Sequence, residues 1–361
     1  MRKIKVGLIG LGEVAQITHL PILESLAHRY EIAAICDISQ QLLAAIGERY
    51  NVSNRYTDAA ELTKQADLDA VFVLNSDEYH AECAIAALEQ KKHVFLEKPI
   101  CLTLKDAERM IRARDEAGVQ VMIGYMRRFA PAYVSAVQEV KQLGKINYAR
   151  IRDIIGANRL IIEQSSNVLR PNDLPKDAIA DKQERAQRMV REAIGDSAVE
   201  FQTAYRLLCG LGSHDLSAMR EILGFPKRVV SASQWNGGRF MNAILEFEGF
   251  NATFEMGVDQ QRRFDAHIQI YGDQKAITIQ YDTPYIRHLP TTKITEETAG
   301  EAFHRTVDRP SFKDAYTVEL EYFHDVVTEG VAPKTTIEDS MEDLKLFAML
   351  IEAMKASAPA K

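Results

Sequence analysis

Long apolar runs are missing from this chain. No stretch approaches the roughly 18 consecutive apolar residues that cross a bilayer, so a membrane-embedded role is not expected. Cysteine is scarce. The four present, Cys36, Cys83, Cys101 and Cys209, are scattered, and the first three fall in or beside apolar segments. That points to reduced thiols in a cytoplasmic setting rather than to a disulfide frame. Positive charge is not in excess either: 44 Lys plus Arg stand against 51 Asp plus Glu, a net charge of −7. Such a balance argues against nucleic acid or an anionic membrane surface as a partner. The chain enters a strand-like segment at once, so no signal peptide is expected. There is no internal repeat and no low-complexity segment. What is there is ordinary globular material, 46% hydrophobic and 26% charged over 361 residues, long enough that two domains are expected.

The most informative stretch is the first. Ile4-Lys5-Val6-Gly7-Leu8-Ile9 is a strand-forming run that breaks at Gly10-Leu11-Gly12 and turns helical from Glu13-Val14-Ala15. Gly10-x-Gly12-x-x-Ala15 reads as the phosphate-binding turn of a dinucleotide-binding sheet. Gly10 permits the tight turn, and Gly12 lets the backbone approach a pyrophosphate. Ala15, in place of a third glycine, is small enough for the helix to pack close. Free N–H groups around Glu13 and Val14, at the positive end of the helix dipole, then face the phosphates. A second buried run, Glu31–Cys36, ends in Asp37. A carboxylate there accepts hydrogen bonds from the adenosine ribose hydroxyls and repels a 2′-phosphate; its distance exceeds the roughly 20 residues usual for this position, as a longer intervening helix would explain. Ile38 and Ser39 follow, with no arginine to hold such a phosphate. NAD is therefore expected as the cofactor and NADP disfavoured. The plainer alternative is that Asp37 only caps a helix.

From residue 1 to about 125, short apolar runs alternate with helical patterns. The strands are expected at Lys3–Ile9, Glu31–Asp37, Ala70–Leu74, His93–Leu96 and Gln120–Gly124, with helices near Val14–His28, Gln40–Tyr50, Ala59–Gln65, Glu78–Gln90 and Thr103–Ala117. This alternation predicts a parallel, doubly wound sheet, which binds ligands at the carboxyl ends of its strands. Three polar clusters follow strands there: Asn75-Ser76-Asp77 before His80, Glu97-Lys98-Pro99, and Tyr125-Met126-Arg127-Arg128. Past residue 130 the texture changes. Helical stretches at Val134–Leu143, Lys182–Ile194 and Asp215–Leu223 mix with runs of period two at Ile146–Ile155, Arg228–Gln234, Asn242–Phe247, Ala252–Val258, Ala266–Tyr271 and Ala276–Tyr281. Alternation of that kind marks antiparallel strands with one covered face, and Gly257 inside one run suggests a bulge. The polar segment Gln164–Ala204 reads either as an excursion on the substrate side or as a solvated surface helix. Closing helices are expected near 315–357. The fold class is thus α/β plus α+β, with a dinucleotide-binding domain over 1–128 and a second domain over 129–361 built on an open-faced, mostly antiparallel sheet.

The glycine turn, Val94-Phe95-Leu96-Glu97-Lys98-Pro99 with His80 upstream, Gly124-Tyr125-Met126-Arg127-Arg128-Phe129-Ala130-Pro131, and a histidine opening a later helix together resemble the Gfo/Idh/MocA oxidoreductases. The resemblance spans essentially the whole chain. It implies an N-terminal Rossmann domain and a C-terminal sheet domain for substrate binding and assembly into a homodimer or homotetramer. It further implies a hydride exchanged between NAD and a secondary hydroxyl of a sugar, glycoside or cyclitol.

The chemistry of the residues agrees. A lysine ammonium at a strand end, Lys98, stabilises a developing alkoxide and joins a proton relay. Glu97 either pairs with a neighbouring cation or touches the nicotinamide ribose. In the family a histidine placed like His214 takes or orients the hydroxyl proton. Many members carry an aspartate four residues earlier, where this chain has Gly210. Either His214 works with Lys98 alone, or another carboxylate, such as the adjacent Asp215, substitutes; a capping or packing histidine is the plain alternative. Asn75, Ser76 and His80 are expected beside the nicotinamide, although the family commonly has Thr-Pro-Asn where this chain has Asn75-Ser76-Asp77. Tyr125, Arg128 and Tyr285 are candidates for substrate binding, with an ion-pair role for Arg128 and packing for Tyr285 left open. Trp235, Arg287 and His288 rank lower, and His19, His28, His93, His267, His304 and His324 support no functional claim. Cys209 with His214 is too little for a metal site, and none is expected. Oxidation at the ring 3-position of a glycoside would suit a site relying on His214. Two other functions stay open: glycoside cleavage through transient oxidation by tightly held NAD, and a non-catalytic NAD- or sugar-binding regulator.

Overall fold

The computed structural model describes residues 2–358 and divides the chain into two compact units. Of these, the first comprises residues 2–124, 166–193 and 319–344; the second comprises 125–165, 194–318 and 345–358. This division differs from the expected split at residue 128, because two later segments return to the first unit.

The first unit is built on a six-stranded parallel sheet in the order β3-β2-β1-β4-β5-β6. Its strands are β1 (Ile4–Ile9), β2 (Tyr30–Cys36), β3 (Asn54–Tyr56), β4 (Ala70–Val73), β5 (His93–Glu97) and β6 (Val121–Gly124). β4 and β6 are buried at every position, as strands covered on both faces must be, and so read as unbroken apolar runs. The connecting helices are α1 (Leu20–Ser25), α2 (Gln40–Arg49), α3 (Ala59–Thr63), α4 (His80–Glu89) and α5 (Leu104–Ala117). Their starts are where short polar side chains can accept a free backbone N–H: Ser39 caps α2, Asp58 caps α3 and Thr103 caps α5. Gly118, at φ +68°, closes α5 in the left-handed conformation. The expected single helix Val14–His28 is instead a π-helical segment, Ala15–His19, running into α1. Phe72 and Phe95 stack at 5.0 Å in the core of this unit, with Phe323 and Tyr30 edge-on to Phe72.

The second unit carries an eight-stranded sheet in the order β14-β13-β12-β11-β7-β10-β9-β8. The strands are β7 (Ile146–Gly156), β8 (Arg228–Trp235), β9 (Phe240–Glu246), β10 (Asn251–Asp259), β11 (Phe264–Gly272), β12 (Lys275–Tyr281), β13 (Thr292–Ala299) and β14 (Ala302–Asp308). All pairings are antiparallel except β7 with β10. Its helices include α6 (Pro131–Val140), α7 (Arg159–Ser165), α9 (Val199–Leu207) and α10 (Ser213–Leu223); α8 (Lys176–Ile194) lies almost wholly in the first unit. The closing helices are α11 (Ala315–Glu329) and α12 (Ile337–Ser357).

Along β7 the residues Ala149, Ile151, Asp153 and Ile155 are buried, while Tyr148, Arg150, Arg152 and Ile154 on the other face are only half-covered. On that half-covered face Arg150 pairs with Glu255 at 2.9 Å and Arg152 with Asp265 at 3.3 Å. Gly257 is not a bulge, since β10 keeps an unbroken register through it. A Cβ there would stand 2.3 Å from the Phe240 ring, so the glycine makes room for an aromatic side chain. β13 and β14, with exposed or half-buried polar faces, carry little apolar alternation to signal them.

Candidate active site

The strand ends of the first unit bring most of the expected cofactor residues together. Gly10 has φ +94°, and a Cβ on it would lie 2.6 Å from the Asn75 backbone, so only glycine fits where the loop after β4 crosses the turn. Its N–H donates to the Cys36 carbonyl at 2.8 Å, joining the turn to the end of β2. Gly12 is different. It is exposed, and a Cβ on it would meet no atom within 4 Å. Nothing in the protein requires a glycine there; an approaching ligand would. Glu13 and Val14 open the helical segment and Ala15 is buried beneath it. Asp37 closes β2, with Oδ2 accepting from Leu11 N–H at 2.8 Å and Oδ1 from Ser39 N–H at 2.9 Å. Burial, only partly offset by these two hydrogen bonds, pushes its carboxyl above the ordinary aspartate value. Open backbone at the turn, a carboxylate at the end of the next strand and a helix start between them fit a dinucleotide.

His80, buried at the start of α4, links two of the polar clusters. Its Nδ1 lies 2.7 Å from the Pro99 carbonyl oxygen and its Nε2 3.0 Å from that of Asn75. The loop after β4, with Asn75 and Ser76, and the loop after β5, with Lys98 and Pro99, are thereby tied together; the Lys98–Pro99 peptide bond is cis. Asn75 also donates to Cys83 Sγ at 3.3 Å. Lys98 is half-buried, directly beyond the buried Glu97. Glu97 meets a partner from a distant part of the unit, with His19 Nε2 2.8 Å from its Oε1. Burial alone would raise Glu97, but the His19 hydrogen bond and the nearby positive charges bring it below the ordinary glutamate value.

His214, Tyr125, Arg128 and Tyr285 belong to the second unit. His214 is the second residue of α10, which follows a π-helical segment, Leu208–Gly212, and it is 8% exposed. A Cβ at Gly210 would meet nothing within 4 Å, so the space for a side chain is open while the side chain is missing. Asp215 is drawn away from the role of substitute carboxylate. It pairs with the buried Arg127, which also holds Asp153 from β7 at 3.2 Å and lies over the Tyr281 ring at 4.7 Å. Burial and the neighbouring Asp153 push Asp215 well above the ordinary aspartate value, against the pull of Arg127. Arg128 takes the ion-pair role left open for it, with Nε 2.6 Å from Glu221 Oε2. Tyr125 is buried, and the half-buried Tyr285 accepts from Asn158 Nδ2 at 3.3 Å. Trp235 stacks on Phe240.

Two family models match this chain. The oxidoreductase family with the NAD-binding Rossmann fold, GFO_IDH_MocA, covers residues 4–125, and the family's C-terminal alpha/beta domain covers residues 202–361. The chain belongs to the Gfo/Idh/MocA oxidoreductase family. Among its Gfo/Idh/MocA relatives, inositol 2-dehydrogenase of Salmonella paratyphi B is 35% identical over 133 residues. That alignment spans 36% of this chain and only 39% of the relative. Inositol 2-dehydrogenase 2 of Saccharopolyspora erythraea is 26% identical over 343 residues, 91% of this chain and 85% of that one. Among solved structures, an NAD binding oxidoreductase from Klebsiella pneumoniae matches with a TM-score of 0.75 at 18% identity, covering 99% of this chain and 98% of the other. At that identity the likeness shows the fold alone.

Sequence reasoning passed over three features of this Gfo/Idh/MocA chain. His19 lies 78 residues from Glu97, and no local pattern marks one residue as the other's partner. Arg127 lies beside Arg128 in the chain, and no local pattern marks Asp153 and Asp215 as its partners. Within the polar stretch Gln164–Ala204, residues 166–193 pack with the nucleotide-binding unit, and the helix they carry is largely exposed. Among the described residues, no helix is long and apolar enough to cross a membrane.

Proposed function

We propose that this protein is an NAD-dependent dehydrogenase acting on a secondary hydroxyl of a sugar, glycoside or cyclitol, the ring 3-position of a glycoside being one candidate. The observation that carries the proposal is the grouping at the strand ends of the first unit. An open Gly12 turn, the ribose-binding carboxylate of Asp37 and a half-buried Lys98 held by its tied loop all sit at the edge where such sheets take their ligands. Full-length similarity to an inositol 2-dehydrogenase supports a polyhydroxylated substrate. When bound, the nicotinamide accepts or returns the hydride. The chain supplies the rest. Asp37 holds the adenosine ribose, and the N–H groups from Gly12 to Val14 meet the pyrophosphate. Glu97, fixed by His19, orients the turn that aims Lys98. The Lys98 ammonium stabilises the alkoxide formed as the hydroxyl proton leaves, and His214 takes that proton. With Gly210 offering no carboxylate, His214 works without the aspartate common in the family. Tyr125 and Tyr285 contribute to the substrate pocket. We further propose a cytoplasmic homodimer or homotetramer joined through the half-covered face of the eight-stranded sheet.

The test is the near-ultraviolet absorbance of NADH on incubation with NAD and a panel of sugars, glycosides and inositols. Lys98→Ala and His214→Ala are each expected to lower turnover by about 10²-fold or more while calorimetric NAD binding persists. A protein that binds NAD, alters a glycoside and yields no NADH would be a transient-oxidation enzyme instead. Binding without any chemistry would make it a regulator.

A further inference from the structure

The polar segment after α7 reaches back to the nucleotide-binding edge of the first unit and is fastened there at two places. Near the glycine turn, Leu169 N–H donates to Gln16 Oε1 at 2.9 Å, and its carbonyl accepts from Gln16 Nε2 at 3.1 Å. Arg170 pairs with Glu13 at 2.8 Å. At the turn after β2, Gln41 Nε2 donates to Asn172 Oδ1 at 2.6 Å, and Asn172 N–H returns a bond to Gln41 Oε1 at 3.2 Å. The last contact is made by Asp173. One carboxylate oxygen accepts from Ser39 Oγ at 2.6 Å and the other from Gln41 N–H at 3.0 Å. The strap from Leu169 to Asp173 therefore runs from the residues that follow β1 to those that follow β2.

The position of the Asp173 carboxylate is the point of interest. The start of a helix is where an anion is most readily held, because its first N–H groups lack partners within the helix. In dinucleotide-binding sheets the ribose 2′-oxygen lies at the carboxylate that closes the second strand, here Asp37. A phosphate esterified to that oxygen would need donors at the turn into α2, and the chain offers Ser39 Oγ and the Gln41 N–H. Asp173 already occupies both. No arginine or lysine stands in the turn itself, which reads Asp37-Ile38-Ser39-Gln40-Gln41.

We infer that Asp173 selects the cofactor: delivered by the strap to the start of α2, its carboxylate fills the place a 2′-phosphate would take and excludes the phosphorylated dinucleotide by charge and by occupancy. The inference rests on the NAD reading above. It assigns the selection to two carboxylates, Asp37 and a residue more than a hundred positions further along the chain, rather than to Asp37 alone. Discrimination built on a repelling charge costs the favoured ligand little and the rejected one much. Asp37 gains from the arrangement as well, since Ser39, its own hydrogen-bond donor, is held in place from the far side.

The experiment is calorimetric titration of the full chain with NAD and, separately, NADP, for the unaltered protein, Asp173→Ala and Asp173→Asn. Binding is read directly, so no substrate is needed. The unaltered protein is expected to prefer NAD. Asp173→Ala, which frees both donors and removes the charge, is expected to shift the ratio of the two dissociation constants at least about tenfold toward NADP. Asp173→Asn, which keeps acceptors but loses the charge, should fall between. A strap that merely props up the fold would weaken both cofactors equally and leave the ratio where it was. An unmoved ratio in a protein that prefers NAD overturns the inference and spares the NAD reading. An unaltered protein that prefers NADP overturns the NAD reading itself.

Discussion

Gly10 and Gly12 stand two positions apart and do different work. At Gly10 the backbone is left-handed and the Asn75 main chain lies where a Cβ would go, so Gly10→Ala combines torsional strain with overlap and should cost about 2 kcal/mol or more. Gly12→Ala should leave stability within about 0.5 kcal/mol, because the added methyl meets nothing. The same methyl projects on the side left open for a pyrophosphate and should weaken NAD at least about tenfold. Thermal melts and titrations on the two variants check both halves. A pH effect belongs to Glu97. Its folded value lies below the ordinary 4.5, so the folded state favours the ion. That contribution is complete above pH 4.5 and lost as the pH falls through the folded value. Glu97→Gln should cost about 2 kcal/mol at neutral pH, as for a buried hydrogen bond to a charged group. Its melting curve should approach that of the unaltered protein as the pH drops below 4.5; a gap independent of pH would rule out the ionised carboxylate as its source. The glycines and Glu97 were legible from local pattern. His19 was not, since its meaning comes from a strand end brought to it by folding.

At the scale of elements, β7 and α10 show how a polar group enters a buried face. The alternation of β7 puts Asp153 on the covered side, where α10 presents Asp215, and Arg127 satisfies both. Arg127→Met leaves two buried carboxyls without their cation and should destabilise by about 3 kcal/mol or more. Adding Asp153→Asn and Asp215→Asn should recover most of the loss, because an uncharged set no longer requires a guanidinium. Denaturant titration of the single and triple variants measures both numbers, and a triple variant no better than the single one would show that packing of Arg127 on Tyr281 dominates. Periodicity revealed both elements. It could not reveal the triad, whose three members come from separate segments.

Over the whole molecule, the four cysteines are buried and none is in a disulfide. Burial pushes Cys36 up to about 12 and Cys83 to about 11, so thiolate is scarce and access is blocked. An aromatic disulfide reagent should therefore label the native protein slowly and release four equivalents only after unfolding. Rapid labelling of the native state would mean that a core element opens easily. Segments 166–193 and 319–344 rejoin the first unit after the chain has entered the second. Such returns leave no mark in composition or period, because an amphipathic helix shows only that it covers something.

The sequence by itself determined the parallel sheet, the glycine turn, Asp37 and the placing of Lys98 at a strand end. Each depends on a local physical demand: continuous apolarity for a strand buried on both faces, a missing Cβ at a tight turn, a polar residue where a strand stops. Only the tertiary structure decided the partners. It set His19 against Glu97, divided Arg127 between Asp153 and Asp215, and carried Asp173 to the start of α2. Charges and hydrogen-bonding groups act over a few ångströms of space, and distance along the chain does not encode that space until the chain has folded.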